Sequence, residues 1–222
     1  MVQAKICGLT TLDAVSAAVE GGAAFVGFVF FARSPRDLAP EAAARLAAPL
    51  KSQGGRRSPV RTVAVTVDPD DALIDRLMAT LAPDLIQVHG KETPARVREI
   101  GQRSGAGMIK AFSVSSASDV DQAQAFDGVV EHLMFDARPV EVSGEGSALP
   151  GGTGARFDWS LLEGRRFSRP HFLAGGLDPW NVAQAIRTSG APLVDVSSGV
   201  ERGPGLKDPA LITAFLDAVK RA

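Results

Sequence analysis

The sequence of 222 residues has one cysteine, no excess of either charge, no long apolar run and no low-complexity tract. Each shortage removes a class of protein. A single thiol, Cys7, cannot close an internal disulfide, which excludes a disulfide-stapled secreted scaffold. The 24 basic and 25 acidic residues are interspersed, leaving no electrostatic footprint for nucleic acid or an anionic membrane surface. The longest apolar run, Ala23 to Ala32, is strand-sized and falls short of the roughly 20 residues that cross a bilayer. The N-terminus lacks the charged region, apolar stretch and cleavage site of a secretory signal, so a soluble cytoplasmic protein is expected. Neither Gly-x-x-x-x-Gly-Lys-Ser/Thr nor Gly-x-Gly-x-x-Gly follows a strand, which argues against a nucleoside triphosphate or dinucleotide. His132 and His171 open their apolar runs while His89 closes its own, so no three ligands converge and no metal is expected.

What is present is an eightfold alternation. Short apolar runs occupy Ala4–Cys7, Phe25–Phe31, Thr62–Val67, Leu85–His89, Met108–Phe112, His132–Asp136, His171–Ala174 and Leu193–Ser197. Helix signals fall between and after them: Thr10-Thr11 leading to Gly21-Gly22, Pro40, Asp68-Pro69, Thr93-Pro94, Ser116 to Ser118, Asp158, Asp178-Pro179 and Asp208-Pro209. Runs such as Phe25–Phe31 are apolar at nearly every position, as parallel strands covered on both faces are. Eight β-then-α units close most simply into a (β/α)8 TIM barrel spanning residues 1–222 as one domain, with a doubly wound open sheet as the alternative. The weakest helix is the sixth, around Trp159–Leu162. Two connections stand out: 137–157, rich in Gly, Ser and Pro and long enough to be functional, and Gln53–Ser58, a solvated loop on the opposite face.

Chemistry-bearing residues collect where such a barrel keeps its active site, at the C-terminal ends of the strands. Cys7 ends the first strand, and a modest fall in its pKa makes it a base for a carbon-bound proton. Asp136 ends the sixth, where apolar walls can raise its pKa and make it a proton donor. Its alternative role is to cap the long loop or pair with Arg138. Arg36, presented by Pro35 after the second strand, can grip a planar carboxylate with two hydrogen bonds, and Arg33 can share that task. His89 ends the fourth strand, placed to bind substrate, to orient Asp136 or to serve structure. Lys5 shares the parity of Cys7 and needs a carboxylate partner. Asp195, inward on the eighth strand and a further candidate at the substrate site, is one. Gly151-Gly152-Thr153-Gly154, Gly175-Gly176 and Ser197-Ser198-Gly199 follow the last three strands, where backbone N–H groups can cradle a phosphate.

In this order the segments Lys5-Ile6-Cys7-Gly8, Val26 to Phe30 with Ser34-x-Arg36, Gln87-Val88-His89-Gly90, Phe135-Asp136, Gly151 to Gly154 with Phe157-Asp158-Trp159, Gly175-Gly176-Leu177, and Asp195 to Glu201 ending in Gly205-x-Lys207-Asp208 form a pattern. Over its whole length the chain resembles the phosphoribosylanthranilate isomerase family of tryptophan biosynthesis. The resemblance implies an Amadori rearrangement of N-(5-phosphoribosyl)anthranilate to 1-(2-carboxyphenylamino)-1-deoxyribulose 5-phosphate, a small phosphosugar substrate carrying an anthranilate group, and no cofactor. It implies Asp136 as general acid on the furanose oxygen, Cys7 as general base at C2, and Arg36 on the anthranilate carboxylate. Gly152, Thr153, Gly154, Gly175, Gly176, Ser198 and Gly199 match the phosphate site. Ala137 stands where some relatives have threonine, and Val88 where leucine is frequent. A different phosphosugar barrel is the competing reading: Lys110 on the fifth strand fits a synthase with a catalytic lysine. A barrel that binds a phosphosugar without turnover is the non-enzymatic alternative.

Overall fold

A computed structural model describes residues 1–51, 60–137 and 156–222. Eight parallel strands, β1 (Gln3–Cys7), β2 (Phe25–Phe30), β3 (Arg61–Thr66), β4 (Leu85–Val88), β5 (Gly107–Val114), β6 (His132–Ala137), β7 (His171–Leu173) and β8 (Leu193–Val196), form a closed barrel in sequence order. Closure is made by β1 against β8, where Lys5 is the register partner of Asp195. The open-sheet alternative is thereby excluded.

Parallel strands need crossover connections, and the helices between them start where side-chain caps take up their first N–H groups. Thr11 accepts from Ala14 N at 3.3 Å to open α1 (Leu12–Glu20), and Pro40 opens α2 (Pro40–Lys51). Asp70 accepts from Leu73 N at 2.8 Å to open α3 (Asp71–Thr80). Thr93 caps α4 (Pro94–Ser104), whose Pro94 suits the first turn because its missing N–H has no partner to lose, and Gly105 ends it at φ +67°. Ser116 and Asp119 form a capping box on the short α5 (Ala117–Asp121). The last two helices are α6 (Val182–Ser189) and α7 (Pro209–Lys220).

Two apolar layers lie on either side of the wall. Ile6, Val26, Phe28, Val88, Phe135 and Val194 pack outward against the helices. Cys7, Phe25, Val63, Val65, Leu85, Ile109, Ala111, Met134, Phe172 and Leu193 fill the interior, alternating with the first set along each strand. Burying a Phe or Leu side chain contributes about 1.5–3 kcal/mol, so the stacked layers fix which parity faces the barrel axis. Lys5 and Cys7 therefore share the interior.

The sixth helical segment is a 3-10 turn, Trp159–Leu162, rather than an α-helix. Asp178-Pro179 does not start a helix either. The Asp178 carboxylate accepts the N–H groups of Trp180 and Asn181 at 2.9 Å each, making a turn that delays α6 to Val182. After β8 the chain adds a 3-10 turn (Ser198–Val200) and a small hairpin, β9 (Glu201–Gly203) with β10 (Leu206–Lys207). No hairpin is expected from the eightfold pattern. The solvated-loop reading of Gln53–Ser58, the 138–155 portion of the long connection, and with it Arg138, Gly152, Thr153 and Gly154, lie outside the described residues.

Candidate active site

Cys7 leaves β1 opposite Gly27 of β2. A Cβ at Gly27 would stand 3.2 Å from Cys7 Sγ and 3.3 Å from Lys5 Cε, so the absent side chain leaves room for both. Lys5 has no solvent exposure, and its Nζ donates to Asp195 Oδ1 at 2.8 Å. The expected partnership is present. It matters because a buried ammonium left unpaired costs several kcal/mol. Burial pushes the Cys7 thiol up, against the pull of the Lys5 and Lys207 ammonium groups. The expected fall in its pKa is therefore not found: desolvation of the thiolate outweighs two nearby cations.

Asp136 sits near the end of β6, buried at 8% exposure. Loss of water, then the neighbouring Asp195 carboxylate, push its carboxyl up to about 7, while the Ala137 N–H and Lys5 pull it down. At neutral pH it is thus a half-protonated acid, as expected from its apolar walls. His89 Nε2 lies 3.7 Å from Asp136 Oδ2, too far for a hydrogen bond, and has no other partner among the described residues. Burial and the Lys110 and Lys5 ammonium groups press the imidazole down to about 3, so it stays neutral and leaves the proton to Asp136.

Lys110 itself is not in the mouth of the barrel. Its strand neighbours Ile109 and Ala111 line the interior, whereas Lys110 reaches Glu92 Oε2 at 2.7 Å and Gly90 O at 2.8 Å, 6.0 Å from the ring of Phe126. Glu92 also accepts from the N–H groups of Gly90 and Asp68, at 2.9 and 2.8 Å. The pair ties down the loop that follows His89. That placement removes the support Lys110 lent to a lysine-dependent synthase.

Arg36 and Arg33 separate cleanly. Arg33 is exposed, with its guanidinium 5.1 Å from the centre of the Phe31 ring. Arg36 is 5% exposed and packs across Gly8, whose φ of +76° and lack of Cβ let the side chain pass. Its Nε and Nη2 donate to the two carboxylate oxygens of Glu201 at 2.7 and 2.8 Å. Glu201 Oε1 also takes Lys207 Nζ at 2.5 Å. Glu201 and Lys207 stand in the segments that carry the resemblance, but the sequence assigns neither a role. The available signal was that a buried arginine and a buried lysine demand a carboxylate.

Gly175 and Gly176, at φ +87° and +61°, turn the chain over the mouth after β7. A Cβ on Gly175 would meet Ala137 N and stand 3.0 Å from Asp136 Oδ1, so this turn is packed against the acid. Gly199, in the turn after β8, meets the carbonyl of Leu177 so closely that no side chain fits. The β7 and β8 turns thus pack directly on one another, Gly199 lying against Leu177 and Asp178. Among the described residues no group of His, Cys, Asp and Glu is arranged to hold a metal ion, and no helix is long and apolar enough to cross a membrane.

A thiol, a carboxyl that keeps its proton near neutrality, a guanidinium and a glycine rim at one end of a parallel barrel suit acid–base chemistry on a small anionic molecule. Comparison with known proteins narrows this. The family model for N-(5'-phosphoribosyl)anthranilate isomerase matches residues 4–218. The chain is 83% identical over 221 residues to the N-(5'-phosphoribosyl)anthranilate isomerase of Caulobacter sp. strain K31, covering 100% of both chains. It superposes on the crystal structure of the Thermotoga maritima phosphoribosyl anthranilate isomerase with a TM-score of 0.84, at 35% identity and 100% coverage of both chains. A further such isomerase, solved in complex with reduced 1-(o-carboxyphenylamino)-1-deoxyribulose 5-phosphate, is 32% identical with a TM-score of 0.80 and 100% coverage of both. A match that runs through both ends of the barrel, at identities this high, leaves one assignment: the chain belongs to the N-(5'-phosphoribosyl)anthranilate isomerase family.

Proposed function

We propose that this chain performs the isomerisation of N-(5-phosphoribosyl)anthranilate, a step of tryptophan biosynthesis, with Asp136 as general acid and Cys7 as general base. Asp136 gives its proton to the furanose oxygen as the C1–O bond breaks, leaving a protonated Schiff base to the anthranilate nitrogen. Cys7, as thiolate, takes the C2 proton, and the electron pair of that C–H bond forms the enol-amine that tautomerises to the ketone. The thiol gains the proton count that the carboxyl loses, so returning one proton resets the pair.

The observation that carries this reading is the buried Asp136 carboxyl, held near pH 7 at the same end of the barrel as the thiol. An acid with that pKa is poised to donate at neutral pH. Arg36 is assigned to the anthranilate carboxylate, because a guanidinium already fixed by Glu201 loses little freedom on binding a second anion. The rim of Gly175, Gly176, Ser198 and Gly199 is assigned to the phosphate, together with Gly152, Thr153 and Gly154. His89 and Asp195 act at the substrate end of the interior, the former as a neutral neighbour of the acid and the latter through Lys5.

The test is the decay of the anthranilate fluorescence of freshly prepared N-(5-phosphoribosyl)anthranilate, with and without enzyme. Wild type accelerates it. Cys7→Ser and Asp136→Ala each lower kcat by at least about 100-fold with KM little changed, in the range of general acid–base effects. Near-normal turnover by either variant removes that residue from the mechanism, and no acceleration by wild type leaves the binding-only barrel.

A further inference from the structure

Lys207 has no role in the acid–base scheme, yet its side chain is 1% exposed. Such a burial needs a reason, since desolvation alone drives the ammonium toward neutrality. Two residues hold it through three acceptor atoms: Glu201 Oε1 at 2.5 Å, Ser197 O at 2.9 Å and Ser197 Oγ at 3.2 Å. One of these contacts leads to the substrate clamp, because the same Glu201 carboxylate holds both Nε and Nη2 of Arg36. The other leads to the base. Ser197 Oγ lies 3.3 Å from where a Cβ on Gly8 would stand, and Gly8 is the residue after Cys7.

We propose that Lys207 is a positioning residue for both ends of the reaction, holding Glu201 so that Arg36 keeps its aim and setting an ammonium charge beside the Cys7 sulfur. The proposal rests on the acid–base reading above. The groups facing Cys7 are Lys5 on its own strand, Asp195 on β8 and Lys207 on β10. Lys5 is matched by Asp195 at 2.8 Å. Lys207, by contrast, shares the Glu201 carboxylate with Arg36 rather than having one to itself. The thiolate and the Lys207 ammonium each favour the charged form of the other. Burial raises the thiol; Lys5 first, and then Lys207, limit the rise.

The single cysteine makes the test clean, because alkylation by iodoacetamide reports Cys7 alone. Its rate against pH gives the thiol pKa whether or not that thiol is the catalytic base. Lys207→Met is expected to raise this pKa by about one unit, slowing alkylation at pH 8 about tenfold, and to raise KM as Arg36 loosens. Lys207→Arg is expected to keep the wild-type alkylation curve. Glu201→Gln leaves Lys207 and Arg36 without their shared carboxylate and is expected to raise KM. A purely structural lysine does not move the thiol pKa and KM together and regain the wild-type alkylation curve as arginine. If Lys207→Met does not fold, Lys207→Gln is read in its place. Unchanged alkylation in a folded Lys207→Met or Lys207→Gln overturns the proposal. Loss of turnover with normal alkylation in Cys7-containing wild type would instead fault the catalytic reading.

Discussion

Replacing Asp195 by asparagine removes one negative charge that acts on two groups at once. In the folded protein the Asp195 carboxylate pushes up both the Asp136 carboxyl and the Cys7 thiol, and it neutralises Lys5. Asp136 is raised from 3.8 to about 7. At 1.36 kcal/mol per pKa unit this corresponds to about 4 kcal/mol against the carboxylate, of which burial is the larger cause and Asp195 the second. In Asp195→Asn the second cause disappears and Lys5, now without its partner, pulls Asp136 down further. A fall of about one to two units is expected, with the thiol falling too. When a reaction needs Asp136 protonated and Cys7 ionised, kcat/KM rises with pH up to the acid's pKa and flattens there, because the gain in thiolate above it is cancelled by loss of the acid. The wild-type profile therefore bends near pH 7, and the variant's bend moves to about pH 5–6. The buried ammonium of Lys5 left unpaired also costs on the order of 3–5 kcal/mol of folding stability, read as a lower denaturant midpoint. Kinetics should be taken well below that midpoint. A bend that stays near pH 7 in a folded Asp195→Asn enzyme refutes the electrostatic account of the acid.

Arg36→Met should raise KM for the anthranilate substrate by tenfold or more with a smaller change in kcat, since the carboxylate contact proposed for Arg36 is one made in ground and transition states alike. An unchanged KM would place the carboxylate elsewhere. Stability against pH tests the buried histidines. His89 and His171 are lowered to about 3 and about 4 by burial, below the 6.5 of the unfolded chain, so their contribution is complete above pH 6.5 and is lost as pH falls toward those values. By pH 4 this amounts to roughly 3 kcal/mol each. Asp136 has the opposite sign: its folded pKa of about 7 is above its unfolded 3.8, so its contribution is present at low pH and lost as pH rises through 7. Wild type should lose a modest part of its urea midpoint between pH 7 and 4, and Asp136→Asn, lacking the offset, should lose distinctly more. Equal losses would show that the carboxyl and the imidazoles are not buried in the protonation states described.

What the sequence revealed and what it hid follow from how each group is fixed. The strands were legible because both faces of the sheet are covered, so Phe25–Phe30 and the Val63–Val65 centre of β3 carry apolar residues at successive positions and each run reports its own burial. Cys7 and Asp136 were legible because a strand end in a closed parallel barrel has one place to go. The Lys5–Asp195 pair could be read from parity, since β1 and β8 are neighbours in any closed eight-strand barrel and both residues face inward. The Arg36–Glu201–Lys207 cluster had no such rule behind it. Arg36 lies in the loop after β2, while Glu201 and Lys207 lie on a hairpin that the eightfold repeat does not contain, 165 residues along the chain from Arg36 to Glu201. That hairpin is held against the β2 loop by Gly205, whose φ of +77° and missing Cβ admit the carbonyl of Pro35. The sense of the Cys7 shift was hidden for a related reason. Composition shows which charges exist, but desolvation depends on how completely the Gly8, Gly27 and Arg36 neighbourhood closes over the sulfur, and only packed coordinates contain that. Regular elements can thus be read from period alone, whereas the electrostatics of the site are set by loop-to-loop contacts whose partners no spacing in the chain identifies.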